Sequence, residues 1–183
     1  NHNIQIVGRG RVMKIDKKAY SGLFPAVFTP MHENGHVNLD QMQPIVDHLV
    51  ADGVRGLYIC GSTGEGPSLT SDERMAVAES YIQAARGRLL SIVQVGHESL
   101  AEAKRLAVHA ASLGADAISA MPPTYFPIKS EEELIRCLRD IASSTPETPL
   151  FYYHIPGRTH VHIDLFRFLE MSEDELPTLV GVK

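Results

Sequence analysis

Short apolar segments recur along the chain from Gly22 onward, with polar stretches between them. Several of these segments are nearly continuous in apolar residues, which is typical of strands that are buried on both faces. The six segments are Leu23–Phe28, Leu57–Cys60, Leu90–Val95, Ala117–Met121, Leu150–Tyr153 and Leu179–Val182. The pattern therefore predicts six strands, counted here in chain order.

Helix signals lie between the predicted strands. Thr70, Ser99 and Ser130 are each followed three residues later by Glu, which is the pattern of a capping box. Asn38, followed three residues later by Gln41, is a weaker version. The residues predicted to end helices are Gly53, Gly87 and Gly114, with Pro146 after the fourth helix. Together these signals predict that strands and helices alternate.

An alternation of strands and helices implies parallel pairing with right-handed crossovers, and so an α/β fold. Periodicity alone does not separate an open doubly wound sheet from a (β/α)₈ barrel. A complete barrel needs roughly 250 residues, and the six strands and five helices predicted here stop about two and a half units short. We therefore predict an N-terminal extension over residues 1–20 and a single α/β domain over 21–183, which in the barrel case is a partial barrel.

Composition narrows the possible partners. The chain has 183 residues, 44% of them hydrophobic and 21% charged, and a formal net charge of −5 without a basic stripe, which argues against nucleic acid. None of its apolar runs is long enough to span a bilayer, so we expect no membrane association. Cys60 and Cys137 lie far apart and fit no metal or redox spacing, which favours reduced thiols in a cytoplasmic protein.

Candidate chemistry lies after the strands, because parallel α/β folds bind ligands beyond the carboxyl ends of their strands. The second strand runs into Gly61–Gly66, a loop with three glycines and the adjacent hydroxyls of Ser62 and Thr63. Such a loop can direct amides and hydroxyls at an anion. A plain strand-to-helix turn explains the same composition equally well, and the glycine spacing does not match a nucleotide-binding loop.

The fourth, fifth and sixth strands also end in reactive side chains. Tyr125 follows the fourth strand, and Arg158 follows the fifth. On the fifth strand, alternation assigns Phe151, Tyr153 and Ile155 to one face, and Tyr152 and His154 to the other.

Lys183 ends the sixth strand and is predicted to share a face with Leu179 and Gly181, where the glycine would leave space beneath the lysine. A free lysine has a pKa of about 10.4 and is a poor nucleophile at neutral pH. Desolvation removes part of that penalty and allows attack on a ketone carbonyl.

Three motifs occur in order on the second, fifth and sixth strands: Gly61-Ser-Thr-Gly-Glu65, Tyr153-His-Ile-Pro156 and Gly181-Val-Lys183. In this order they resemble the dihydrodipicolinate synthase / N-acetylneuraminate lyase family, over about residues 22–183. The resemblance implies a (β/α)₈ barrel, usually in a homotetramer, and a lyase that forms a Schiff base with a 2-oxo acid without metal or organic cofactor.

The resemblance also implies roles for individual residues. Lys183 forms the imine with pyruvate, and Tyr153 moves protons at the substrate. Gly61, Ser62 and Thr63 bind the pyruvate carboxylate. Arg158 matches a residue that grips a semialdehyde carboxylate in the synthases, and Tyr125 matches a position that reaches a neighbouring subunit's site in some members.

The family member is a further prediction. Tyr152-Tyr153-His154 and Ser62 favour a lyase that cleaves N-acetylneuraminate-like sugar acids, whereas Arg158 favours the condensation of pyruvate with aspartate semialdehyde. A non-catalytic, truncated relative of the barrel is a third possibility. His160 and His162 could offer two metal ligands, but solvated loop histidines explain them better.

Overall fold

The structure, a computed structural model, describes residues 17–183 and contains one parallel sheet of five strands in the order β1-β2-β3-β4-β5. Each strand pairs with the one before it. The strands are β1 Gly56–Ile59, β2 Leu90–Gln94, β3 Ala117–Ala120, β4 Leu150–Tyr152 and β5 Leu179–Val182. Sequential parallel neighbours joined by helices confirm the predicted α/β class.

In the described part of the chain, six α-helices accompany the sheet: α1 Met42–Ala51, α2 Ser71–Ala85, α3 Leu100–Ser112, α4 Glu131–Ala142, α5 Pro156–Thr159 and α6 Leu165–Glu175. Short 3-10 turns cover Lys17–Tyr20, Leu39–Gln41 and Gly66–Ser68. The short α5 lies where the sequence indicated a loop. None of the helices within residues 17–183 is long and apolar enough to cross a membrane.

The predicted first strand, Leu23–Phe28, is wrong as a strand. Only Ala26 forms a bridge, with Tyr58 of β1, although the segment still lies along that strand. Pro25 accepts a bond from the Tyr58 amide but has no N–H of its own to extend a ladder. The other five predicted strands correspond to β1–β5.

Three of the four predicted N-terminal helix caps are present in the structure. Thr70 and Glu73 form a complete capping box, whereas Ser99 and Ser130 each accept a bond from the amide three residues on. Asn38 makes no side-chain cap, so this weaker prediction is wrong; α1 is instead preceded by the 3-10 turn. The three predicted glycines, Gly53, Gly87 and Gly114, have φ values of 73°, 73° and 84°, as a left-handed helix end requires.

The two faces of the sheet belong to different clusters. The larger cluster packs the helices on one face and includes Ile59, Ile118 and Tyr152. The smaller one lies on the opposite face and includes Tyr58, Ile92, Ala117 and Tyr153. Tyr20 packs onto this second cluster, with its ring 5.1 Å from that of Phe151.

The domain boundary predicted at residue 20 stays a prediction, and residues 1–16 lie outside the described part of the chain.

Strong curvature of the sheet is visible in one contact between its edges. The strands β1 and β5 are four positions apart, which in a flat sheet would separate them by roughly 19 Å. Nevertheless, the Nζ atom of Lys183, directly after β5, lies 4.5 Å from the centre of the Tyr58 ring on β1. The smaller cluster therefore lies on a concave face, and the fold is part of an α/β barrel.

Candidate active site

Lys183 is fixed at the carboxyl edge of the sheet by its backbone. Its amide donates to the carbonyl of Tyr152 at 2.9 Å, and its own carbonyl accepts from the amide of His154 at 2.9 Å. The Nζ atom lies 4.1 Å from the centre of the Tyr153 ring and 4.5 Å from that of Tyr58. The amine therefore lies over the concave face with an aromatic ring on two sides.

Tyr153 connects the lysine to the loop that follows β1. Its ring contacts the lysine, and its hydroxyl lies 3.3 Å from the hydroxyl of Ser62. Tyr153 is buried on the concave face, and Tyr152 belongs to the helix-side cluster, as alternation predicted. Three separate strand ends thus bring together Lys183, Tyr153 and Ser62.

The loop Gly61–Gly66 is tightly packed against its surroundings. A Cβ atom at Gly61 would lie 2.6 Å from the Tyr58 ring, and one at Gly66 would lie 2.0 Å from the carbonyl oxygen of Cys60. A larger residue at Gly61 would require the Tyr58 ring to move, and a larger residue at Gly66 would require the backbone to move. Glu65 has a positive φ of 54°, an uncommon backbone conformation that concentrates at functional sites.

The polar groups of this loop are available to a ligand. Ser62 and Thr63 are exposed, and within residues 17–183 their backbone amides have no hydrogen-bond acceptor. Thr29 stabilises the loop, because its hydroxyl donates a hydrogen bond of 2.6 Å to the carbonyl of Gly64. Two amides and the Thr63 hydroxyl are therefore without a partner within residues 17–183, next to the Ser62 hydroxyl that lies 3.3 Å from that of Tyr153. Such a donor set suits a carboxylate.

The face predicted for β5 is partly wrong. Leu150 pairs with Leu179, but Phe151 pairs with Gly181, so Val180 is an extra residue in a bulge. Leu179 therefore packs with the helix-side cluster. The space at Gly181 is filled by Phe151, whose ring would lie 2.8 Å from an added Cβ, rather than left open beneath the lysine.

Three of the predicted site residues lie apart from this contact network. Arg158 is exposed on α5 and has no ion pair among the described residues. The side chain of Tyr125 is 79% exposed and contacts Phe126 at a ring distance of 4.9 Å. The structure brings neither of these side chains, nor that of Thr63, into contact with Lys183.

Glu98 fixes the backbone near Tyr125. Its carboxylate accepts bonds from the amides of Thr124 and Tyr125 and from the hydroxyl of Thr124. Burial raises the pKa of Glu98, but these hydrogen bonds outweigh it and bring the pKa below its usual value. The start of the loop after β3 is therefore held by a charged group.

The histidines after β4 have a different environment. His154 lies on the helix-side face, with its Nδ1 atom 3.1 Å from the hydroxyl of Tyr152. Burial, and then the neighbouring His162, lower the pKa of His154. Among residues 17–183, no group of three or more His, Cys, Asp or Glu is arranged to hold a metal ion.

Two residues near the site gave no recognisable signal in the sequence. Tyr58 is buried in the middle of an apolar run, and its hydroxyl bonds to that of Ser119 at 3.0 Å. Burial raises the pKa of Tyr58 well above its usual value, so the phenol is neutral. The alternation of β1 could have assigned Tyr58 to the concave face, but only the fold brings Ser119 to it.

Arg74 is the second such residue. It is 2% exposed, and its guanidinium donates to the carbonyls of Gln94 at 2.7 Å and Gly96 at 3.0 Å. Burial lowers the pKa of Arg74. These bonds attach the first turn of α2 to the end of β2, which stabilises the segment after the glycine loop.

Comparison with known proteins adds independent information. The sequence model of the Dihydrodipicolinate synthetase family matches residues 19–183. The N-acetylneuraminate lyase of Rattus norvegicus is 39% identical over 173 residues, which cover 93% of this chain and 54% of the rat protein. The chain therefore spans about half the length of the curated relatives it matches.

Solved structures of N-acetylneuraminate lyases and sialic acid aldolases are also similar to this chain. The N-acetylneuraminate lyase of Proteus mirabilis has a TM-score of 0.86 and 36% identity, over 89% of this chain and 55% of that one. A catalytic lysine mutant of the sialic acid aldolase of Ruminococcus gnavus has a TM-score of 0.84 and 30% identity, over 91% of this chain and 54% of that one. At these identities and scores, the likeness extends over both sequence and fold.

Proposed function

The chain belongs to the dihydrodipicolinate synthetase family, and from that membership we propose that it carries the Schiff-base site of a pyruvate-dependent carbon–carbon lyase. The observation that supports this most directly is the contact network of Lys183, Tyr153 and Ser62. A primary amine, a phenol and a second hydroxyl meet there at the carboxyl edge of parallel strands, where α/β barrels bind substrates.

Imine formation begins at Lys183. Its neutral amine attacks the C2 carbonyl of a 2-oxo acid, and the carbinolamine hydroxyl takes the proton of the Tyr153 phenol and leaves as water, which gives the protonated imine and the Tyr153 phenolate. This cation accepts the electron pair of the C3–C4 bond when the proton of the C4 hydroxyl is removed. The C4 carbon then leaves as an aldehyde, and the enamine on the lysine is protonated at C3 and hydrolysed to pyruvate.

Tyr153 is the proposed proton carrier in this sequence. Its hydroxyl is adjacent to that of Ser62, so a proton can pass between the phenol and the loop that follows β1. The phenolate that is left when Tyr153 gives up its proton during imine formation takes the proton of the C4 hydroxyl, directly or through the substrate, as a general base. It returns a proton to C3 of the enamine in the second half of the reaction.

Ser62 and Thr63 are proposed to bind the carboxylate of the 2-oxo acid. Their exposed hydroxyls and unoccupied amides, with the backbone of Gly61, offer several donors to one anion. Binding the carboxylate there would aim the adjacent C2 carbon at Lys183.

The proposed substrate is an N-acetylneuraminate-like sugar acid, cleaved to pyruvate and an amino sugar. The rat and Proteus mirabilis relatives, both named N-acetylneuraminate lyase, support this choice. Tyr152-Tyr153-His154 and Ser62 support it from the sequence. We further propose that the protein acts as a cytoplasmic homotetramer without metal or organic cofactor, and that Tyr125 extends towards a neighbouring subunit.

One observation favours a second candidate, the condensation of pyruvate with aspartate semialdehyde. Arg158 is exposed at the start of the segment after β4, and within residues 17–183 it forms no ion pair, so its guanidinium is available to a second carboxylate. Both reactions use the same imine, and they differ in the second substrate alone.

Trapping of the imine tests the proposal. The full-length protein, incubated with pyruvate and borohydride, should gain the mass of a reduced pyruvyl group on Lys183. Lys183→Ala should not be labelled, and equal labelling in that variant would reject the assignment. Absence of labelling in the wild type would favour a non-catalytic relative of the barrel.

Turnover distinguishes the two substrates. The full-length enzyme should cleave N-acetylneuraminate faster than it condenses pyruvate with aspartate semialdehyde. Faster condensation would change the proposed reaction while leaving the imine mechanism intact.

A further inference from the structure

We propose that Tyr58 is a positioning residue for Lys183, whose ring face holds the Nζ atom and stabilises the positive charge that this nitrogen carries as an amine and as an imine. The proposal rests on the proposed function for the role of Lys183, but the contact itself does not. Tyr58 takes no part in the proton transfers assigned to Tyr153.

The geometry of the contact is that of a cation–π interaction. The Nζ atom lies 4.5 Å from the centre of the Tyr58 ring, inside the roughly 6 Å range in which the attraction is significant. It lies 4.1 Å from the Tyr153 ring, so two ring faces share one cation. Among residues 17–183, no carboxylate forms an ion pair with Lys183.

The Tyr58 ring is unusually well fixed for this purpose. Its hydroxyl bonds to that of Ser119, and the side chain is 2% exposed. Its ring makes a T-shaped contact with the Tyr153 ring, with the ring centres 5.6 Å apart and an interplanar angle of 77°. Gly61 leaves no space on a further side, since a Cβ there would lie 2.6 Å from the ring. Contacts on three sides therefore hold the ring beside the amine.

The position of Tyr58 also connects the parts of the site. Its ring contacts the nucleophile, the proposed proton carrier and the first residue of the carboxylate-binding loop. Because the protonated imine has its charge on the same nitrogen as the protonated amine, one ring face stabilises both. Tyr58 therefore favours the protonated over the neutral imine, which is the electron sink that C–C cleavage requires, although the same contact also favours the protonated amine over the neutral amine that attacks the ketone.

The pKa of the Lys183 amine tests the proposal without requiring turnover. Trace acetylation of the full-length protein with acetic anhydride across a pH series, followed by mass spectrometry of the Lys183 peptide, gives this pKa. Tyr58→Phe retains the ring and should leave the profile nearly unchanged. Replacement of Tyr58 by pentafluorophenylalanine has nearly the same shape but a reversed ring quadrupole, and it should lower the pKa by about one pH unit.

The difference in Lys183 pKa between the two variants decides the proposal. Identical pKa values in the phenylalanine and pentafluorophenylalanine variants would overturn the proposal, because a purely structural role does not depend on the quadrupole. Thermal melts of the two variants, which should coincide, control for packing. Failure of the wild type to trap pyruvate would instead reject the proposed function, and it would leave the labelling result interpretable.

Discussion

Replacing Tyr153 by phenylalanine removes a single oxygen atom from the centre of the contact network. The ring remains, so its contacts with Lys183 at 4.1 Å and with Tyr58 at 5.6 Å are kept. Within residues 17–183, the substitution removes one hydrogen bond, that between the Tyr153 hydroxyl and the Ser62 hydroxyl. Since Ser62 is exposed and can bond to water, the free energy of unfolding should fall by only about 0.5–1.5 kcal/mol.

The effect on catalysis should be much larger. Loss of a general acid–base group typically slows turnover by about 10²–10⁴-fold, which corresponds to roughly 2.7–5.4 kcal/mol of transition-state stabilisation. Imine trapping with pyruvate and borohydride should stay detectable in Tyr153→Phe, because Lys183 and the carboxylate loop are unchanged. Steady-state cleavage of N-acetylneuraminate by the full-length enzyme measures the turnover rate, and mass spectrometry measures the imine trapped on Lys183.

The adjacent tyrosine provides a matched control. Tyr152 lies in the helix-side cluster, and its hydroxyl bonds to His154, away from the lysine. Tyr152→Phe also removes one phenol oxygen from β4 and should retain turnover. If Tyr153→Phe is as active as the wild type, or if the two variants lose the same activity, Tyr153 is not the proton carrier.

Three further predictions concern stability. Thr70→Ala breaks the complete capping box of α2 and should lower the free energy of unfolding by about 1 kcal/mol in urea titration; an unchanged midpoint would contradict this. Gly181→Ala places a Cβ 2.8 Å from the Phe151 ring and should cost about 1–3 kcal/mol, with Phe151→Leu restoring part of the loss; absence of rescue would show that the strain lies elsewhere. Burial lowers the pKa of His154 in the folded state, whereas the pKa of this residue in the unfolded chain is about 6.5. The unfolded chain therefore binds more protons as the pH decreases through about 6.5, and the stability should fall there. His154→Gln should reduce this slope in melts between about pH 5 and 8, and an unchanged slope would refute the assignment.

The regular part of the fold was predictable because its signals are local. Continuous apolar runs gave five of the strands, and the Thr70 and Glu73 pair gave the start of α2. Alternation correctly assigned Tyr152 of β4 to one face of the sheet and Tyr153, directly after β4, to the other, because successive side chains of an extended segment point in opposite directions.

The errors arise where pairing between strands decides the structure. Leu23–Phe28 has the composition of a strand, but Pro25 lacks the amide needed for a ladder, and the segment forms only one bridge. In β5, the extra residue Val180 in the pairing with β4 reverses the face of Leu179. Neither the register nor the bulge leaves a trace in hydrophobicity alone.

The sequence by itself determined which side chains stand at the strand ends, since Lys183, Tyr153 and Ser62 follow directly from the strand boundaries and from the family motifs. Only the tertiary structure decided which of them meet. Curvature of the sheet carries Tyr58 from the first strand to the lysine after the last, and it brings Ser119 to the tyrosine hydroxyl. Such contacts join residues up to 125 positions apart in the chain, 183 − 58, and depend on the summed twist and closure of every strand between them, which no local pattern encodes.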